Sequence, residues 1–197
     1  MKSLLFPLAA VALLAGCSTG RFAAGYALDP KPARATYADL KPAANSQPVS
    51  LVFDMHRPEG PFAEGTQKFG PKLARIIEDS QLFSSLAKVG SENMARLQIT
   101  LSEVTAVTGA GAKELPAGLT TGLPGSEAAV VYTFSASYTP PGKEPVKKVY
   151  HHAIHVLNSK TGWQQNSEPL TAGQATDAMI EQLTLNFLKD LQREGKL

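Results

Sequence analysis

Ala95-Arg96-Leu97-Gln98-Ile99-Thr100-Leu101-Ser102-Glu103-Val104 is the stretch that decides the fold. Its apolar residues stand at 97, 99 and 101 and its polar ones at 96, 98, 100 and 102. Successive side chains of a strand point to opposite faces, so this period of two describes a strand with one face in a core and the other in water. A sheet that is wet on one side is characteristically antiparallel and needs a cover on the other side only.

The neighbouring segments repeat that pattern. From Ala128 to Tyr138, Val130, Tyr132, Phe134 and Tyr138 face inward, and Thr133, Ser135, Ser137 and Thr139 face outward. Pro140-Pro141-Gly142 then turns the chain, and Val146 to Leu157 returns as the second arm of a hairpin. Upstream, Val49 to Asp54 is rich in strand formers and Leu82 to Val89 reads as a short edge strand.

Two helices supply the cover. Phe69, Leu73, Ile76 and Ile77 recur at helical spacing between about 66 and 80. Pro71 has no N–H to give and fits only a first turn, which predicts a regular helix starting near Gly70. The last helix is marked by Thr171 with Gln174 three residues on, a capping box, and by Gly195 as its stop. Met179, Ile180, Leu183, Phe187 and Leu191 form its apolar stripe, with Asp177, Glu181, Lys189 and Gln192 opposite. The order of elements predicts an α+β fold, an antiparallel sheet of about four to five strands with two helices packed on one face, as a single domain over 49–197.

The first 16 residues read as an export signal, with a cationic Met1-Lys2 start and an apolar run from Leu4 to Leu14. About 20 apolar residues are needed to span a bilayer, and this run is shorter. Leu14-Ala15-Gly16-Cys17 resembles the lipobox of bacterial lipoproteins. That resemblance implies cleavage before Cys17, a diacylglycerol on its sulfur and an acyl group on the new amino terminus. Several acyl chains on one residue hold a protein at a membrane, since each buried CH₂ contributes about 0.8 kcal/mol. Ser18 stands where an Asp in such proteins favours inner-membrane retention, so the resemblance implies outer-membrane anchoring, facing the periplasm. Residues 17–48, with Pro30, Pro32, Pro42 and Pro48, read as the lipidated end and a flexible tether of roughly 30 Å as a coil and up to about 100 Å drawn out.

Cys17 is the single cysteine, so no disulfide is available to the mature chain. Loss of Lys2 with the signal leaves 18 basic side chains against 17 acidic ones. A balance so close to neutral argues against a nucleic-acid partner, which requires a concentrated basic face. No nucleophile elbow or phosphate-cradling glycine loop is present, and no cofactor is expected. A Ser, His and acid drawn from distant segments remain possible, because chain order does not fix such a triad. His151 and His155 share a strand face about 13 Å apart and His152 points the other way. Zinc holds its ligand nitrogens at about 2.0 to 2.1 Å, so this segment cannot chelate by itself, and no metal site is expected.

Residues 108–126 form a loop long enough to be functional or disordered. Its Leu119 and Leu123 either present an apolar surface to a partner or fold back on the sheet. Trp163, in a connection, and Leu185, on the polar face of the last helix, are further candidate partner contacts.

Taken in order, the SLVFD strand, LARIIEDSQLF helix, ARLQITLSEV strand, AAVVYTFSASY and KKVYHHAIHVL arms and MIEQLTLNFLKDL helix resemble small envelope lipoproteins with an anticodon-binding-domain-like fold. These include peptidoglycan-synthase activators, polysaccharide-export accessory lipoproteins and YajG-like proteins. The resemblance implies a non-catalytic accessory module that meets a protein partner in an envelope assembly or transport system, with homo-oligomers conceivable. The alternatives are a lipid- or glycan-binding module, which needs a concave pocket between sheet and helices, and a hydrolase.

Overall fold

The computed structural model describes residues 25–43, 46–87, 93–108, 115–120, 126–157 and 170–197. Along the chain come β1 (Gly25–Leu28), a 3-10 turn (Tyr37–Asp39), β2 (Val49–Arg57), β3 (Gly60–Pro61), α1 (Ala63–Asp79) and β4 (Leu86–Ala87). β5 (Ala95–Thr108), β6 (Ser126–Thr139), β7 (Val146–Leu157) and α2 (Ala172–Arg193) follow. The strands make one sheet in the order β1-β7-β6-β5-β2-β3, with β4 also on β2.

The α+β class is as expected, but the sheet has seven strands rather than four to five and is mixed. β2 runs parallel to β5 from Val49↔Ala95 to His56↔Ser102. The cause is α1: a helix between two neighbouring strands returns the chain to the same end of the sheet, so the second strand must run parallel to the first. β4 is also parallel to β2, and the remaining pairs, β5–β6–β7, β1 on β7 and β3 on β2, are antiparallel.

The face assignment of β5 is as its alternation requires: Leu97, Ile99 and Leu101 are fully buried with Leu73 and Ile77 of α1 and Met179, Leu183 and Phe187 of α2. The register shifts between Glu103 and Thr105, and Val104 at that bulge is left exposed. The other sheet face is wet over much of its area but not at one end. There Ala129 and Val131 of β6 and Ala153 of β7 are buried together with Leu119, under residues 115–120.

α1 begins at Ala63, well before Pro71, so the expected start near Gly70 is overturned. Pro71 and Gln67, whose carbonyl loses its helical donor to the proline, are both exposed residues. Gly65 explains why the helix can start so close to the sheet: a Cβ there would stand 2.4 Å from the Phe62 ring and 2.6 Å from the Met55 sulfur. Of the edge strand expected at 82–89, Leu86–Ala87 is a strand, Leu82 goes into the core instead, and residues 88–89 lie outside the described residues.

The largest departure concerns the expected tether. Residues 25–43 of that stretch are folded. β1 pairs with β7 from Gly25↔Leu157 to Leu28↔Ile154, and its other edge bonds reciprocally with Leu170 just before α2. Residues 29–41 then run as a strap across the outer side of α2, where Ala35 and Leu40 are buried. α2 grips the strap with side chains at helical spacing. The Gln182 amide donates to the Pro32 and Ala33 carbonyls, and the Asn186 oxygen accepts from the Ala35 N–H at 2.8 Å. Gln192 exchanges bonds with the Lys41 backbone, and Lys189 pairs with Asp39. The polar side of α2, expected to face water, is a second contact face. Its N-terminal capping box and the left-handed Gly195 at its end are as predicted.

Candidate functional site

The strap leaves the sheet at a buried polar node. β1 ends opposite β7, and the Asp29 N–H donates to the Ala153 carbonyl at 3.0 Å, which aims the Asp29 carboxylate at the sheet face that carries Ala153 and His155. Asp29 is wholly inaccessible, and its oxygens accept from the Lys31 N–H at 2.9 Å, the Thr120 N–H at 2.6 Å and the Thr120 hydroxyl at 2.8 Å. His155, itself 2% exposed, brings Nε2 to 3.3 Å. Burial alone would raise the Asp29 pKa, but those bonds all favour the carboxylate and together hold it below the ordinary value. The node ties three separate pieces together: the strap, β7 and the loop that carries Leu119, whose carbonyl accepts from Lys31 Nζ at 2.8 Å.

Ser126 Oγ stands 3.3 Å from His155 Nδ1, so Ser126, His155 and Asp29 form a chain of hydrogen-bonding distances drawn from three distant segments. The Ser126 hydroxyl is directed to the Ala128 carbonyl at 2.9 Å instead of yielding its proton to the imidazole. Asp29 and His155 are buried, and Ser126, the group of the three that would have to meet a substrate, is half-buried.

The other two histidines of β7 also lie where their alternation places them. His151 is exposed, with Nδ1 3.2 Å from the Thr133 hydroxyl across the ladder. His152 faces α2, fully buried, with Nδ1 bonded to the Ala153 carbonyl at 3.0 Å and Nε2 without a partner among the described residues. Burial holds its pKa below the ordinary histidine value, the bond to Ala153 acting the other way. Among the described residues there is no group of three or more His, Cys, Asp or Glu side chains able to hold a metal, and no helix long and apolar enough to cross a membrane.

The open feature lies just beyond the node. β1 covers the outer edge of β7 only from residue 154 onward, because the strap turns away to α2 after Asp29. Between the diverging strap and β7 lies a groove of about 450 Å³. Arg34, Gly118, Val149, His151, Leu183 and Asp190 are among its lining. Tyr150 donates to Asp190 at 2.7 Å, and Arg193 pairs with the same carboxylate at 2.9 Å. Burial first, and then that bond, push the Tyr150 hydroxyl pKa upward.

Of the expected partner contacts, Leu119 is 3% exposed, packed on Ala129, Val131 and Ala153, so it folds back on the sheet. Leu185 is also 3% exposed, because the side of α2 on which it lies is covered. Neither is a surface residue. Cys17, Leu123 and Trp163 lie outside the described residues. The buried space between sheet and helices, where a lipid or glycan pocket was an alternative, is filled by Leu73, Ile77, Leu97, Ile99, Met179 and Leu183. Sequence reasoning missed Asp29. Its one signal was Asp29-Pro30-Lys31, a turn-initiating pair whose side chain bonds the N–H two residues on.

No protein-family model matches the chain, and no curated protein does. Among solved structures, it is similar to rare lipoprotein B from Shewanella oneidensis, with 13% identity, a TM-score of 0.36, and coverage of 76% of this chain and 93% of that one. A neuraminyllactose-binding hemagglutinin homolog from Helicobacter pylori matches with 11% identity and a TM-score of 0.40 over 77% and 85% of the two chains. A PelC dodecamer from Paraburkholderia phytofirmans matches with 11% identity and a TM-score of 0.35 over 85% and 99%. Likenesses at this level assign no family.

Proposed function

We propose that the chain is an exported lipoprotein, anchored through lipid on Cys17 to the periplasmic side of the outer membrane, and that its folded part is a non-catalytic accessory module for a protein partner in the envelope. The observation that carries this reading is the incorporation of the post-lipobox segment into the sheet. β1 begins at Gly25, so eight backbone steps separate it from Cys17, a reach of at most about 28 Å. The chain between lipid and domain is a short leash in place of a tether of about 30 residues. A domain held so close to the bilayer meets partners embedded in that membrane or lying against it, at a raised effective concentration.

The test is metabolic labelling with an alkyne palmitate, followed by membrane fractionation of wild type and Cys17→Ser. Label and membrane association in the wild type, both lost in the variant, are expected. Retention of label after Cys17→Ser, or a wild-type chain that fractionates away from membranes, overturns the anchor. Photo-crosslinking from several exposed positions in intact cells tests the accessory role, and failure to link any envelope protein from every position overturns it.

A further inference from the structure

We propose that the uncovered edge of β7 at residues 149–151 is a docking site for an extended, acidic segment of a partner protein, which adds to the sheet as a further strand. This rests on the accessory reading above and gives it a surface.

The argument begins with the backbone. The Ala153 carbonyl accepts from Asp29, so residue 153 turns its peptide groups away from β6 and toward β1. N–H and C=O of one residue point the same way, and the β6–β7 register is unbroken from Ala128↔Val156 to Tyr138↔Val146. Val149 and His151 therefore also present their N–H and C=O away from β6. β1 reaches only Ile154, and among the described residues nothing pairs with those four groups. Val149 is 59% exposed, an apolar side chain in the middle of a free edge. Open edges are templates for another strand.

The groove supplies room and charge. Its cations are mostly spoken for: Lys189 by Asp39, Arg193 by Asp190, and Lys148 beside it by Glu194. Arg34 in the lining and Lys147, two residues along the edge from Val149, are exposed and have no carboxylate within ion-pair distance among the described residues. Two unneutralised cations flanking free backbone select an anionic strand. A second copy of this chain would bring the same cations together, and lysine on an edge opposes such self-pairing. A lipid phosphate could use the cations and the N–H groups but would leave the two carbonyls unpaired. An extended peptide supplies donor and acceptor alternately, and it matches both.

The test uses the full lipidated chain in detergent micelles and two fluorescent hexapeptides, one alternating valine with aspartate and glutamate, the other valine with lysine. The acidic peptide is expected to bind more tightly by at least about tenfold, to weaken as salt rises, and to slow exchange of the Val149 and His151 amides while those of Tyr150 and His152, already paired to β6, stay unchanged. Val149→Pro removes one outward N–H without touching the β6 ladder, and Arg34→Glu reverses one free cation on the surface. Each is expected to reduce acidic-peptide binding by tenfold or more with an unchanged circular dichroism spectrum. Equal binding of both peptides, undiminished binding by both variants, or displacement of the acidic peptide by phosphatidylglycerol vesicles overturns the proposal, the last in favour of an anionic headgroup. In cells, crosslinks to envelope proteins from other positions but none from 149 would sink the edge and leave the accessory role standing.

Discussion

The two halves of β7 share one strand and one β6 neighbour but have opposite surroundings. Residues 152–157 have β1 or Asp29 on their outer edge, α2 on one face and the 115–120 segment on the other, and the half as a whole is nearly all buried. Residues 146–151 alternate between half-buried and exposed, and among the described residues nothing pairs with their outer edge. At the outer edge one segment makes the difference. The strap makes it by following the strand as far as Asp29 and then crossing to α2. The segment from Gly25 to Lys41 thus decides how much of the sheet edge is closed, and a single carboxylate fixes the point of departure.

The largest expected effect comes from removing that carboxylate. Asp29→Ala takes the acceptor from the part-buried Lys31 and Thr120 N–H groups, the Thr120 hydroxyl and the buried His155 together, and at about 1 to 3 kcal/mol for each group left unsatisfied the total is expected to exceed that of any truncation below. Denaturant unfolding measures the loss, and hydrogen exchange locates it: amides of 25–28 and 154–157 are expected to lose protection first, so that the two halves of β7 come to resemble each other. Protection that stays unequal would show that the strap closes the edge without Asp29. Acid acts the same way. Because the Asp29 pKa is depressed in the fold, its contribution is full above about pH 4, the unfolded value, and is lost as pH falls through the lower folded value.

Leu185→Ala follows. If Leu185 were a surface contact, truncation would leave stability unchanged, whereas its burial predicts a loss of about 2 to 4 kcal/mol. A change below about 0.5 kcal/mol would mean that the strap does not cover α2 in solution.

These two residues also mark where sequence legibility stops. β5, the β6–β7 hairpin and the cap and stop of α2 were readable because each sets its own geometry through alternation, a Pro-Pro-Gly turn or a local side-chain bond. β1 was not. Gly25-Tyr26-Ala27-Leu28 is too short for a period to show, and it is a strand only because β7 and Leu170 bond it from both sides. Leu185 fell on the face read as solvated from Asp177, Glu181, Lys189 and Gln192, since a polar side chain that grips a backbone, as Gln192 does, cannot be told from one that meets water. The parallel β2–β5 pair was equally hidden, being a property of what α1 connects. Of the candidate site, the strand position of the histidines was legible and their partners were not, because Asp29 lay in a segment read as tether.

His152 provides a smaller, graded test. The fold holds it neutral beside α2, so the unfolded chain takes up a proton near pH 6.5 that the folded chain refuses. Stability is full above that pH and erodes as pH falls from about 6.5 toward the depressed folded value. His152→Phe is expected to flatten this slope between pH 7 and 5. A slope that survives His152→Phe assigns the acid sensitivity to another group.

The smallest expected effect separates the halves most directly. Val149→Thr keeps a β-branched side chain on the open half, at a position where the exposed valine stabilises little, and stability is expected to stay within about 0.5 kcal/mol of wild type. Ala153→Thr, four residues along the same strand and on the same face, forces a larger, polar side chain against Leu119, Ala129 and Val131 in fully buried space and is expected to cost about 1 to 3 kcal/mol. Denaturant midpoints of the two variants give the comparison as one number. Equal midpoints would mean that the 115–120 segment leaves that face as open as the edge beside it, and the node at Asp29 would then hold the strap alone.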